Sequence, residues 1–256
     1  MKFGICTLNV IPLRKENSDT SEMVSQLLFG ETFTVLERKM QWLYIKNSFD
    51  GYQGWIDHKQ VAEISEEFYT ELQKETPKYS NELINYLSLE NKNLVPISIG
   101  ARFPLIKSNC FFINDTTYQY DGELISNKKT KKEIVETSFN YLNTPYLWGG
   151  KTPFGIDCSG FTQMVYKING YKLFRDASQQ AKQGEVLSFI EESVPGDLAF
   201  FDNKEGFITH VGIILANNYI IHASGKVRLD RLDQSGIFNQ ETSKHTHNLR
   251  LIKRMF

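Results

Sequence analysis

Short apolar runs broken by glycine dominate the first quarter of the chain. "ETFTVLERK", "WLYIKNS" and "GWIDHKQVAEI" are rich in Val, Ile, Phe, Tyr and Trp, and Gly30, Gly51 and Gly54 punctuate them. β-Branched and aromatic residues fit a pleated, half-buried surface, and frequent glycines permit tight turns. Residues 1–64 are therefore predicted to form short strands of a small barrel. The pattern changes at residues 65–90, where "SEEFYTELQKETPKYSNELINYLSLE" is charged and helix-compatible apart from Pro77. Residues 94–125 return to short β-like runs separated by Gly, Pro, Asn and Asp. Residues 65–127 are thus expected to be a connecting insertion followed by a second, degenerate barrel of the same kind.

The polar stretch "SNKKTKKE" reads as a solvated linker and opens the third segment, residues 128–256. Thr130 with Glu133 three residues on is a capping box, which predicts a helix to Leu142 that stops before Asn143-Thr144-Pro145. In "DCSGFTQMVYKING", Asp157 is an N-cap residue and Phe161, Met164, Val165 and Ile168 fall on one apolar face. Asn169-Gly170 closes that helix. "GDLAFF", "HVGIIL" and "YIIHAS" come after it as consecutive strands. Helices and then antiparallel strands make this segment α+β.

Composition changes the picture only by exclusion. The 256 residues are 41% hydrophobic and 23% charged, with a formal net charge of −1. Nothing there points to nucleic acid or an anionic membrane as a partner. No apolar run approaches the roughly 20 residues that span a bilayer. The N-terminus has no apolar h-region or cleavage site, so with Met1 as the native start the protein is expected in the cytoplasm. A monomer is expected, although no residue pattern fixes the oligomeric state. Cys6, Cys110 and Cys158 lie far apart. An odd count without a C-x-x-C pair argues against a disulfide framework and a structural zinc site.

Cys158 stands in the first turn of its predicted helix, where the helix dipole and unpaired N–H groups favour thiolate over thiol and the same amides could hold an oxyanion. A buried, inert cysteine fits the same position. A nucleophilic thiol needs a base, and the base needs an orienting group. His210 opens "HVGIIL" and His222 lies near the end of "YIIHAS", on neighbouring strands, so His222 could hydrogen-bond His210 while His210 faces Cys158. A structural histidine pair is the bland alternative, and no third ligand has the spacing to complete a metal site. His245 and His247 are expected on a surface.

These residues resemble the NlpC/P60 cysteine peptidases. The likeness rests on "PYLWGGKTPFGIDCSGFTQMVY", "RDASQQAKQG", "VPGDLAFF", "THVGIIL" and "IIHASG", in that order over residues 140–225. It implies a papain-like α+β domain with Cys158 as nucleophile, His210 as base and His222 as orienting member, and no metal or cofactor. Residues 9–62 resemble a bacterial SH3 domain. Together the two look like the subgroup that acts on muropeptides in cell-wall recycling. Such enzymes cut between γ-D-glutamate and lysine or meso-diaminopimelate when the N-terminal L-alanine is free. By that resemblance Tyr146 lies beside the nucleophile, Trp148 lines the pocket, and Asp157, Ser159, Arg175 and Asp176 sit where the N-terminal end of the peptide binds. Glu22 and Tyr52 would read its ammonium. Ala177 departs from relatives that carry serine there. On the residues alone, Asp157 fits equally as an N-cap, and Tyr146 and Trp148 as core aromatics. The implied partner is a small peptide. The competing readings are a wall-binding SH3 protein, or an amidase acting on intact peptidoglycan.

Overall fold

Along Val10–Arg14 buried and half-buried residues alternate, with Ile11 and Leu13 turned inward. In a strand successive side chains point to opposite faces, so this alternation gives one apolar face and one wetter one. Seven strands build the first sheet of the computed structural model, which describes residues 2–256. They are antiparallel in the order Met23–Leu28, Val10–Arg14, Gln53–Asp57, Trp42–Asn47, Thr32–Lys39, Phe3–Cys6, Val61–Ile64. Ile11, Leu13, Leu27, Phe33, Leu43 and Ile56 pack as its core.

Ser65 then caps a helix, Glu66–Lys74, accepting the N–H of Phe68. The helix stops before Pro77. Beyond it lies a four-stranded antiparallel sheet in the order Leu94–Ser98, Ile84–Leu89, Thr116–Gln119, Cys110–Ile113, with a two-stranded pairing of Tyr79–Ser80 and Leu124–Ile125. Leu72, Leu87, Phe103, Phe111 and Tyr118 of this part share one core with Phe3, Ile5, Phe29 and Ile64 of the first sheet. Residues up to Asn127 form one compact unit.

The second unit is Lys128–Phe256. Its first helix, Lys131–Phe139, starts on the expected box: Glu133 Oε2 accepts the Thr130 N–H at 2.8 Å. It ends three residues earlier than predicted. Asn140, Tyr141 and Leu142 donate to carbonyls three residues back, tightening the chain into turns that reach Asn143 at φ 68°. The central helix is Cys158–Ile168, a mostly buried helix in expectation, and its burial extends beyond the apolar face to every residue. A helix enclosed on all sides carries its polar residues inward, and Thr162 and Gln163 meet that demand by bonding Gln180 and the Leu173 carbonyl.

The sheet of this unit runs Glu185–Leu187, Lys244–Arg254, Leu198–Asp202, Ile208–Leu215, Tyr219–Ser224, Lys226–Asp233, Gly236–Asn239, all antiparallel. Gly236–Asn239 also pairs with Lys244–Arg254, so the last six strands close on themselves. Closure leaves those strands no free edge. Ala199, Phe201, Ile214, Ile220, Leu232 and Ile237 fill the core on one face. His210, His222 and Asp230 stand at even spacing from Ile214, Ile220 and Leu232 on the same strands, and so extend that face toward one end. None of the helices is long and apolar enough to cross a membrane, among the described residues.

Candidate active site

Asp157 has extended backbone (φ −93°, ψ 175°) and caps the Cys158 helix by accepting the Gly160 N–H at 2.6 Å. The same carboxylate accepts Gly149 N–H at 2.8 Å and both terminal nitrogens of Arg175, at 2.9 and 2.5 Å. Arg175 Nη1 also reaches Ser159 Oγ at 2.9 Å. Asp157, Ser159 and Arg175 are all buried, so this ion pair is fully desolvated yet well furnished with donors. Gly160 is required where it stands: a Cβ there would lie 2.3 Å from the Gly150 carbonyl oxygen. The loop is therefore clamped onto the first helical turn, and the clamp sets where Cys158 points.

The Cys158 sulfur lies against the strand that carries His210. It sits 3.9 Å from the Thr209 carbonyl oxygen, as donor, and the Val211 N–H donates to it. Both flank His210 in sequence. Burial pushes the thiol up to about 12, with the Asp157 charge adding to it and the Val211 and Ser159 amides opposing. This reverses the sequence expectation of a thiol tuned downward by its helix. The amides are present, but removing the sulfur from water outweighs them.

His210 Nε2 and His222 Nδ1 face each other at 2.8 Å. Direct bonding of the two rings leaves no room for an ion between them, since imidazole ligates zinc at about 2.0 Å per nitrogen. The pairing is diagonal. Directly opposite His222 stands Gly212, whose added Cβ would come within 2.8 Å of the His222 Cβ. The absence of a side chain there lets His222 lean toward His210. Beyond it, His222 Nε2 meets Asp230 Oδ2 at 3.1 Å, and Arg228 holds that carboxylate through Nε at 2.8 Å and Nη2 at 3.2 Å. Burial lowers His210 well below its ordinary value, helped by His222 and His247, and burial lowers His222 as well.

Asp230 and Arg228 carry no motif signal in the sequence. In "KVRLDRLD", Arg228 is the cross-strand partner of His222 and Asp230 is two residues on, so both share its face. That alternation was readable only with the register in hand. His247 was expected on a surface. Its ring instead stacks on His210 with centroids 4.2 Å apart at 27°, whereas His245 is exposed and bonds Asp233.

Tyr146 and Trp148 are on the loop before the helix and are 37% and 61% exposed, so neither is a core aromatic. Burial of the Tyr146 phenol, then the charges of Cys158 and Asp157, push it up to about 12, which places it within electrostatic reach of the thiol. Asp176 is half-buried and opens a short helix, Ala177–Gln180. Glu22 and Tyr52 belong to the other unit. There Glu22 accepts from Lys15 at 3.3 Å, and Tyr52 packs partly buried on the first core.

Residues 143–247 match the NlpC/P60 family, and residues 13–61 match the bacterial dipeptidyl-peptidase SH3 domain. A γ-D-glutamyl-L-lysine dipeptidyl-peptidase of Bacillus subtilis is 32% identical over 239 residues, which cover 87% of this chain and 75% of the relative. The chain belongs to the NlpC/P60 family. Dipeptidyl-peptidase 6 of Lysinibacillus sphaericus is 25% identical over 241 residues, covering 84% of this chain and 86% of that one. The fold of this NlpC/P60 protein is shared by the crystal structure of an NlpC/P60 family protein from Bacillus cereus, with a TM-score of 0.83, 19% identity and 99% coverage of each chain. The family match spans Cys158, His210, His222, Asp230 and His247 alike.

Proposed function

We propose that the chain is a cysteine peptidase that hydrolyses the γ-D-glutamyl bond to a diamino acid in small cell-wall peptides with a free N-terminal L-alanine, releasing L-Ala-γ-D-Glu. The observation that carries this is the Cys158 sulfur held on either side of His210 while His210 bonds His222. The relatives' names supply the substrate class.

In this reading the Cys158 S–H proton passes to His210 as sulfur attacks the γ-carbonyl carbon. The C=O electron pair moves onto oxygen, beside the N–H groups of the first helical turn. Collapse breaks the C–N bond, and the amine leaves with the proton from His210. Water then attacks the thioester, giving its proton to His210, and the freed thiolate takes that proton back. Because burial raises the thiol and lowers the imidazole, the resting pair is neutral and proton transfer accompanies attack.

Tyr146, Trp148, Asp157, Ser159, Arg175 and Asp176 are assigned to the substrate end of the site. Asp157 and Ser159 would act mainly through Arg175, given how completely their own chain occupies them. Glu22 and Tyr52 are assigned to reading the free terminus. A cytoplasmic site of action belongs to the same proposal, and the three free cysteines fit a reducing compartment.

The test is incubation with L-Ala-γ-D-Glu-L-Lys and with the same peptide acetylated at its N-terminus, followed by mass spectrometry. Release of L-Ala-γ-D-Glu from the free peptide alone is expected, with Cys158→Ala at least about 10³-fold slower. Cleavage of neither peptide overturns the reading, and cleavage of both removes the requirement for a free terminus.

A further inference from the structure

The buried carboxylate beyond His222 constrains every proton in the histidine relay. Asp230 is 2% exposed and His222 is fully buried. Two nitrogens of Arg228 bond Asp230, and Arg228 is itself anchored by Glu241 at 3.1 Å. A carboxylate so paired stays ionised, and an ionised carboxylate only accepts hydrogen bonds. The His222 Nε2 at 3.1 Å from it must therefore carry a proton.

A neutral imidazole has one N–H, so the His222 Nδ1 is a lone pair. The 2.8 Å contact to His210 Nε2 then closes only if His210 donates. That uses the one N–H of neutral His210, and its Nδ1 is left as a lone pair. Nδ1 is the nitrogen not engaged with His222, and it is the one available to take the thiol proton. We infer that Asp230, through His222, fixes the tautomers of both histidines so that His210 offers a base at Nδ1. Asp230 acts on chemistry it does not touch and is a positioning residue.

Without an acceptor at Asp230, His222 is free to carry its proton on Nδ1. It would then donate to His210 Nε2, leaving a proton on His210 Nδ1 and no base for the thiol. The pH response of this neighbourhood involves several groups besides the two histidines. They are Arg228 and Asp230 on one strand, His247 stacked on His210 from another, Glu241 behind Arg228, and Cys158 on the helix.

The inference rests on the peptidase reading for its consequence, though not for its structural content, and the two can fail separately. Full-length protein labelled in both histidine ring nitrogens, observed by long-range two-dimensional NMR, reports each tautomer directly. His210 and His222 are both expected as Nε2–H forms, and a His222 carrying its proton on Nδ1 overturns the inference whether or not any peptide is cut. In Asp230→Ala, which removes the acceptor, kcat for the free peptide is expected to fall on the order of 10³-fold, toward the ~10⁴-fold cost of a wrong tautomer in serine peptidases. KM should stay within about threefold, and the pH–rate profile should lose its neutral plateau and climb with pH. A variant with kcat within about tenfold of wild type and an unchanged profile overturns it, even if the melting temperature has dropped. Should the variant not fold, the wild-type spectra decide alone. Wild-type protein that shows the expected tautomers and cuts no peptide would sink the peptidase reading and leave the relay standing.

Discussion

At the scale of single residues, titration behaviour separates Cys158 from a ready-made thiolate. Its thiol is pushed up to about 12 by burial, and burial pushes the neighbouring His210 down, so neither proton equilibrium favours a thiolate–imidazolium pair at rest. Inactivation by iodoacetamide without substrate is expected to be slow at about pH 5 and to rise steadily to pH 8 and beyond. An acid plateau of fast alkylation, the mark of a thiolate persisting at low pH, would refute this. His247 makes a second case. Burial, then His222, lower it to about 4 from an ordinary 6.5. The unfolded chain therefore binds its proton first on acidification. The stability that goes with neutral His247 is complete above 6.5 and is lost as pH falls through about 4. His247→Phe keeps a ring on His210 without that titration. Its stability to urea should fall less over this interval than that of wild type, with His210 and His222 still contributing loss of the same sign.

At the scale of elements, two short segments hold the proposed site in place: the clamped start of the Cys158 helix and the His210–His222 strand pair. The Asp157–Arg175 pair is the costly part of the clamp to break. Arg175→Met leaves a buried carboxylate without its cation and is expected to cost about 3–5 kcal/mol by urea denaturation. A loss below about 1 kcal/mol would mean that the Gly149 and Gly160 N–H groups suffice. In the strand pair, Gly212→Ala would drive a methyl to 2.8 Å from both the His222 Cβ and Ile220. Peptide cleavage should drop at least about tenfold as the two rings lose alignment.

Both elements were visible in the sequence: "DCSGF" announces an N-cap and a helix, and the apolar runs "HVGIIL" and "YIIHAS" announce strands. Their partners were less visible. Asp230 and Arg228 face His222 only because strand register sets Arg228 opposite it, and no local periodicity specifies register. His247 reaches His210 because the Lys244–Arg254 strand returns to pair with Leu198–Asp202, beside the His210 strand, a crossing over more than forty residues.

At the scale of the whole molecule, residues 65–127 are where pattern reading had least to hold. Their strands are short and pair out of sequence order, with Thr116–Gln119 lying between Ile84–Leu89 and Cys110–Ile113. Their core is completed by Phe3, Ile5, Phe29 and Ile64 from the first sheet. Phe111 packs edge-on against Phe29 and stacks on Tyr118 with centroids 5.1 Å apart. Phe111→Ala is accordingly expected to destabilise the unit ending at Asn127 by about 3–5 kcal/mol, read as a shifted denaturation midpoint. A change under about 1 kcal/mol would mean that the shared core contributes little.

What the sequence determined by itself was whatever depends on near neighbours and ordered motifs. These are the two capped helices, the run of late strands, the α+β class, the family, and the placing of His210 and His222 on neighbouring strands. Each arises from turn chemistry, capping and short apolar runs that act within a few residues. Tertiary structure alone decided the rest: the closed six-strand sheet, the core shared across residue 64, the raised thiol, and the Asp230 and His247 neighbours of the histidine pair. Those depend on register, closure and desolvation, which arise only when segments distant in the chain are brought together and water is excluded between them.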